Sequence, residues 1–184
     1  MREVEEEVAR CRKCSLHATR RNYVLGEGNL LAEIFFVGEA PGAREDATGR
    51  PFVGRAGELL TRIIKAMGYT RRDVYIGNIL KCRPPGNRTP SEEEQKACFP
   101  YLKRQIEIIK PRVLVALGRV AAVNLTGEKT SLSAMRGRIH RFEGIPVVVT
   151  YHPSYLLQRG EPRELKKMVW EDMKLALRII HGEV

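Results

Sequence analysis

Apolar positions along this chain of 184 residues fall into two rhythms. Short unbroken runs, "EIFFVG", "DVYIGNIL" and "RVLVALG", are rich in β-branched and aromatic residues, which predicts buried strands. Between them, apolar residues recur every three or four positions. "GELLTRIIKAMG" sets Leu59, Leu60, Ile63, Ile64 and Met67 on one helical stripe that Gly68 stops. "RVAAVNL" reads as a short helix, and Pro162 to Gly182 as a long one carrying Leu165, Val169, Met173, Leu177 and Ile180. A first helix is expected over Glu3 to Lys13, then an irregular segment to Ala32. "TPSEEEQKACFPYLKRQIEIIKP" predicts a helix with Thr89 as N-cap, Pro90 at its first position and Glu92 completing a capping box. Pro100 predicts a kink or restart in it, and Pro111 its end. "RIHRFEGIPVVVTY" reads as two strands joined through Glu143 and Gly144.

Strands alternating with helices, with no repeat or linker to divide them, predict one domain over residues 1–184. Its expected architecture is a three-layer α/β/α sandwich around a mostly parallel, central four-stranded sheet. In such sheets ligands bind beyond the carboxyl ends of the strands. "GEAPG" follows the first strand, Asn78 lies near the end of the second, and "HPS" follows the last. Three distant segments are thereby expected at one crevice.

Hydrophobic content of 43% and charged content of 29% fit a soluble globular protein. The charged N-terminal stretch has no secretory pattern, no apolar run reaches the ~18 residues of a membrane span, and the cytoplasm is the expected compartment. Lys and Arg number 32 against 22 Asp and Glu, a net charge of +10. The cations gather in "RCRKC", "HATRR", "KCRPPGNR" and "MRGRIHR", which favours a polyanionic partner. Solvated basic helix faces are the alternative, and charge by itself does not choose.

The four cysteines, Cys11, Cys14, Cys82 and Cys98, leave none over, and basic neighbours support thiolates at most of them. A four-thiolate metal site is the better reading than a redox pair or four buried structural thiols. Zinc and an iron–sulfur cluster both suit thiolates, and spacing does not separate them.

In "FFVGEAPGAREDATGRPFVG", Gly38 and Gly42 permit close approach and Pro41 stiffens the turn. Exposed N–H groups there can hold an anion. Glu39, Glu45 and Asp46 would be solvated in a plain loop. Phe52 can stack on a planar ligand or anchor the loop to the core. Asn78 interrupts an otherwise apolar or small-residue strand, where a buried amide needs a partner; it either ties down a loop or reads a base edge. His152 could be a plain strand-end histidine, but the fixed Pro153 and the convergence of segments favour a site.

Taken together, "GEAPG…GRPFVGRAG", "VYIGNILKCRPPGNRTP", the four cysteines and "YHPSYLL" resemble the family-four uracil-DNA glycosylases of the prokaryotic iron–sulfur type, over nearly the whole chain. The resemblance implies one α/β/α domain, a 4Fe-4S cluster on the four cysteines rather than zinc, and hydrolytic removal of uracil from single- or double-stranded DNA by a monomer. It implies that Phe52 stacks on the extruded uracil, Asn78 pairs with its edge, and His152 donates to O2 as the glycosidic bond breaks. Gly38, Ala40, Pro41 and Gly42 would form the binding elbow, and Glu45 would close the pocket against a 5-methyl group. Ala40 stands where family-one enzymes carry a water-orienting aspartate, so Glu39, Asn78 or backbone would hold the water. Ser154, Tyr155, Leu156 and Leu157 would enter or line the emptied stack, while Lys81, Arg83, Arg88, Arg136, Arg138 and Arg159 would grip phosphates. Gly77 and Ala43 depart from the residues common there. The short "CRPPGNRTP" argues against a relative that holds uracil-DNA tightly or covalently. A non-catalytic DNA-binding module would leave Asn78 and "HPS" without purpose. No lysine stands out as a Schiff-base nucleophile, so no lyase step is expected.

Overall fold

A computed structural model describes residues 1–184. Its strands are β1 (Glu27–Gly28), β2 (Ile34–Gly38), β3 (Tyr75–Asn78), β4 (Val113–Leu117), β5 (Ile139–Phe142) and β6 (Ile145–Thr150). They form one sheet in the order β1-β3-β2-β4-β6-β5. The four inner strands are mutually parallel, and β1 and β5 add antiparallel edges. The sheet therefore has six strands, not four. The missed edge β1 is two residues long and has no period to read, and β5 is the outer arm of the expected hairpin.

Eight helices cover the faces: α1 (Arg2–Ala9), α2 (Ala43–Thr48), α3 (Arg55–Ala66), α4 (Glu92–Ile109), α5 (Arg119–Thr126), α6 (Leu132–Met135), α7 (Pro153–Gln158) and α8 (Arg163–Ile180). Alternate residues of β2 supply the two cores. Phe35 and Val37 pack toward α1, α4 and α5, while Ile34 and Phe36 pack toward α3 and α8. Burial on both faces is why the strand reads as a continuous apolar run.

Three helix boundaries differ from the sequence pattern. The capping box of α4 lies two residues later than expected: Glu94 N–H donates to Ser91 Oγ at 3.2 Å and Ser91 N–H to Glu94 Oε2 at 2.9 Å. Arg88 also donates to both oxygens of Glu94, at 2.9 and 2.6 Å, which fixes that carboxylate at the helix start. Pro100 lies inside α4 without dividing it. Helix α1 stops at Ala9 rather than Lys13, where Arg20 donates to the terminal carbonyls of Val8 and Ala9 at 3.1 and 2.7 Å. That side-chain cap frees Cys11 and Cys14 to turn toward the body of the molecule.

Opposite them, Asp172 of α8 is buried and accepts from Arg136 at 2.8 and 3.1 Å and from the Thr150 hydroxyl at 2.7 Å. This network ties α8 to the end of β6. Asp172→Ala would strand the largely buried Arg136 guanidinium and is expected to cost about 3 kcal/mol, read as a lowered urea midpoint.

Candidate active site

The parallel register of β2 and β3 sets Gly38 beside Asn78 at the carboxyl edge of the sheet. A Cβ on Gly38 would stand 2.5 Å from Asn78 Oδ1 and 2.5 Å from the Phe52 ring. Only glycine lets these two side chains close over the strand end. Beyond them opens a cavity of about 560 Å³, lined by Glu39 through Gly42, Glu45, Phe52, Asn78, His152 and Ser154. The three segments singled out in the sequence do meet there. Asn78 is 2% exposed and its Oδ1 has no hydrogen-bond partner in the protein. An unpartnered buried carbonyl on a residue that lines the cavity marks a group for a ligand or a water to satisfy.

Phe52 is held in place by contacts that the sequence does not advertise. It adopts a positive φ of 49°, a strained conformation for an aromatic residue. Arg71 donates to the carbonyls of Pro51 and Phe52 at 2.7 and 2.8 Å while its guanidinium pairs with Glu27 at 2.8 Å. Gly57 lets α3 begin against the same loop, since a Cβ there would reach 1.9 Å from the Phe52 carbonyl. Glu45, a resident of α2 rather than of a plain loop, accepts from the N–H groups of Gly42, Val53 and Gly54 at 3.1, 2.9 and 2.8 Å. One carboxylate thus staples the elbow to the Phe52 loop. Asp46 is also buried, accepting from Arg21 N–H at 2.8 Å. Neither acid is a solvated loop carboxylate. Glu39 is half-buried in the cavity wall, and burial raises its carboxyl above the usual range.

His152 caps α7. Ser154 N–H donates to His152 Nδ1 at 3.1 Å, and the Ser154 hydroxyl lies 2.7 Å from the same nitrogen. A backbone N–H can only donate, so Nδ1 carries the lone pair and Nε2 the proton. The imidazole stacks on Phe52 with centroids 5.6 Å apart. One edge opens on the cavity, but packing around the rest of the ring drives its pKa down to about 4, against the opposing charge of Glu45.

Several residues assigned to phosphates or to the wedge are buried or already paired, although Arg88 also lines the cavity. Lys81 is 1% exposed, and its ammonium donates to the Asn78 carbonyl at 2.8 Å, so it supports the strand end from beneath and does not face solvent. Leu156 is 1% exposed and packs in the core with Leu59 and Leu60, which removes it as an inserting side chain; Tyr155 and Leu157 stay partly open. Arg136 is committed to Asp172 and lies over Tyr151 at 4.7 Å. Arg138 pairs with Glu128 and Arg88 with Glu94, while Arg83 donates to Asn87 at 2.7 Å. Tyr151 and Tyr155 stack at 4.9 Å, and Arg159 covers the outer face of Tyr155 at 3.7 Å.

All four cysteines line a second cavity, walled by Val8, Leu16, Leu80 and Tyr101. Arg20 Nη1 donates to Cys82 Sγ at 3.3 Å and Lys81 N–H to Cys98 Sγ at 3.2 Å. Burial raises the thiol of Cys82 and pushes that of Cys98 up to about 12, so these sulfurs need a cationic partner to be thiolates at neutral pH. No three His, Cys, Asp or Glu side chains gather closely enough to hold a single metal ion.

The fold is an α/β sandwich with an asparagine, an aromatic ring and a capped histidine gathered at the carboxyl edge of its sheet, and the sequence comparisons place it in a family. The model of the uracil DNA glycosylase superfamily matches residues 25–174, and the chain belongs to that superfamily. It is 52% identical to a type-4 uracil-DNA glycosylase of Thermotoga maritima over 98% of this chain and 94% of that protein. It is 49% identical to the type-4 enzyme of Archaeoglobus fulgidus over 88% and 85%. A type-5 uracil-DNA glycosylase of Pyrobaculum aerophilum is more distant, 36% identical over 70% of this chain and 64% of its own length.

The tautomer and burial of His152 predict a ring that stays neutral through pH 6 and titrates near 4, readable from its imidazole NMR shifts. An unfolded histidine takes up its proton near 6.5. The contribution of His152 to stability is therefore complete above pH 6.5 and declines as pH falls toward 4.

Proposed function

We propose that this protein is a monofunctional DNA-repair glycosylase of type-4 character, acting in the cytoplasm to hydrolyse the bond between uracil and deoxyribose in DNA. The orphaned Oδ1 of Asn78 carries the reading. Facing a uracil swung out of the helix, an amide accepts from N3–H with its oxygen and donates to O4 with its nitrogen. Cytosine reverses both groups and would leave the buried amide mispaired, a costly outcome in a desolvated site. Phe52 supplies the stacking surface for the base.

As the C1′–N1 bond breaks, negative charge moves onto the uracil ring. The Nε2–H of His152 points a fixed neutral donor at O2, where that charge gathers, and needs no reorganisation to do so. A low pKa keeps the donor neutral while Ser154 holds its direction. The sugar passes through oxocarbenium character, which the Glu39 carboxylate in the wall stabilises. Glu39 also takes the part of orienting the water, since Ala40 cannot. Water adds its oxygen to C1′ and its proton goes to the departing base, leaving free uracil and an abasic site. Glu45, immobilised by three N–H donors, borders the cavity on the elbow side, and we assign to it the exclusion of a 5-methyl group.

The cysteine cavity suits a polynuclear iron–sulfur cluster better than zinc. Tetrahedral zinc draws sulfurs to within about 4 Å of one another, whereas these four surround a common space without closing on one ion. Cys11, Cys14, Cys82 and Cys98 would hold a 4Fe-4S group, with Arg20 and Lys81 as N–H donors to its sulfurs. When bound it supplies a cross-link between the N-terminal segment and the strand that ends in Asn78.

Phe52→Ala and Asn78→Ala are each expected to slow uracil release about 100-fold or more, measured on a uracil-containing oligonucleotide with alkaline cleavage at the abasic site. Full activity in Asn78→Ala would remove the assignment. Cys98→Ser is expected to bleach the brown absorbance of the purified protein, lower its iron content and reduce its melting temperature. A colourless wild-type protein containing zinc would overturn the cluster.

A further inference from the structure

Helices away from the cavity obey the macrodipole. Helix α4 opens with Glu92, Glu93 and Glu94, and α8 with Glu164. Around the cavity the first turns hold Glu45, Asp46 and Glu58 too, but arginines accompany them. Arg44 lies in the first turn of α2, and Arg55 and Arg119 are the first residues of α3 and α5. The N-caps of these three helices are Gly42, Gly54 and Gly118, which offer no capping side chain. All three arginines are exposed and line the cavity that Asn78 also lines. Arg44 and Arg55 share one rim: the Arg44 side chain passes 3.9 Å from the position of a Cβ on Gly54. Arg119 holds the other, beside His152: a Cβ on the preceding Gly118 would stand 3.1 Å from the His152 side chain.

No carboxylate neutralises them. Glu45 is saturated by backbone N–H groups, and Asp46 is buried against Arg21 and Asn22. Arg119 spends one N–H on the Lys129 carbonyl at 2.9 Å and keeps its charge free. Three exposed cations without an ion-pair partner, gathered around one cavity at helix starts, form a surface that a bound anion would stabilise. The arginines proposed from sequence clustering, Arg88, Arg136 and Arg138, are by contrast already paired.

We propose that Arg44, Arg55 and Arg119 form a phosphate clamp, gripping the DNA backbone on either side of the nucleotide that enters the cavity. The inference rests on the glycosylase reading for the identity of the polyanion. The grip is independent of sequence, so it is read on DNA without uracil.

The test measures the affinity of full-length protein for a uracil-free duplex between about 50 and 200 mM salt. Arg44→Gln, Arg55→Gln and Arg119→Gln are compared with the triple variant and with Arg112→Gln. Arg112 precedes β4 at the opposite end of the sheet and pairs with Glu33. Each clamp substitution is expected to lower the log–log salt slope by about 0.9, the triple variant by about 2.7, and Arg112→Gln not at all. The salt-induced loss of affinity should shrink roughly threefold per arginine. A triple variant that melts like the wild type and keeps its slope would overturn the clamp, as would an equal change in Arg112→Gln. Uracil release is assayed separately. Wild-type protein with the expected slopes but no release would remove the glycosylase reading and leave the clamp, while release with unaltered slopes would do the reverse.

Discussion

The site depends on one close approach. Strand β2 ends in a residue without a side chain, and into that space come the Asn78 amide and the Phe52 ring. The register of two parallel strands makes the meeting possible, because it sets Gly38 directly beside Asn78. Any Cβ at that point would push the amide and the ring apart, and neither could address the same planar ligand. The shape of this cavity wall is in this sense a property of a strand pairing before it is a property of any side chain.

Around this contact the molecule places buried polar groups in pairs that restrict motion. Glu45 joins two glycine-started helices through backbone donors, and Arg71 holds the carbonyls of a strained aromatic loop. Lys81 braces the carbonyl of Asn78 from below and, through its own N–H, reaches a cysteine of the second cavity. The two cavities are thereby joined through one short segment, Asn78 to Cys82. A cross-link at one would stiffen the strand end that lines the other, which would give the proposed cluster a mechanical part.

Charge is layered in the same region. The wall carries the carboxylates of Glu39 and Glu45, and the rim carries free arginines. In the proposed reaction, a sugar gaining positive character and a backbone already negative would be met by opposite signs a short distance apart. The acidic elbow of a basic protein is the inner layer of that arrangement.

Much of this was legible in the residues. Unbroken apolar runs gave the four inner strands, because burial on both faces demands them, and the helical stripes gave α3 and α8 nearly to the residue. Gly38, Phe52, Asn78 and His152 stood out as residues whose types did not suit their neighbours. The sequence could not show which charges were free. Lys81, Arg136 and Leu156 look like surface groups beside a binding motif, yet the fold buries or pairs each of them, since a partner on another element decides the fate of a charge. Arg71, Arg44, Arg55 and Arg119 gave no local signal, because their meaning comes from carbonyls, glycine caps and a cavity assembled from distant segments. Local pattern determined the elements and the odd residues among them; long-range packing alone decided which side chains face the ligand.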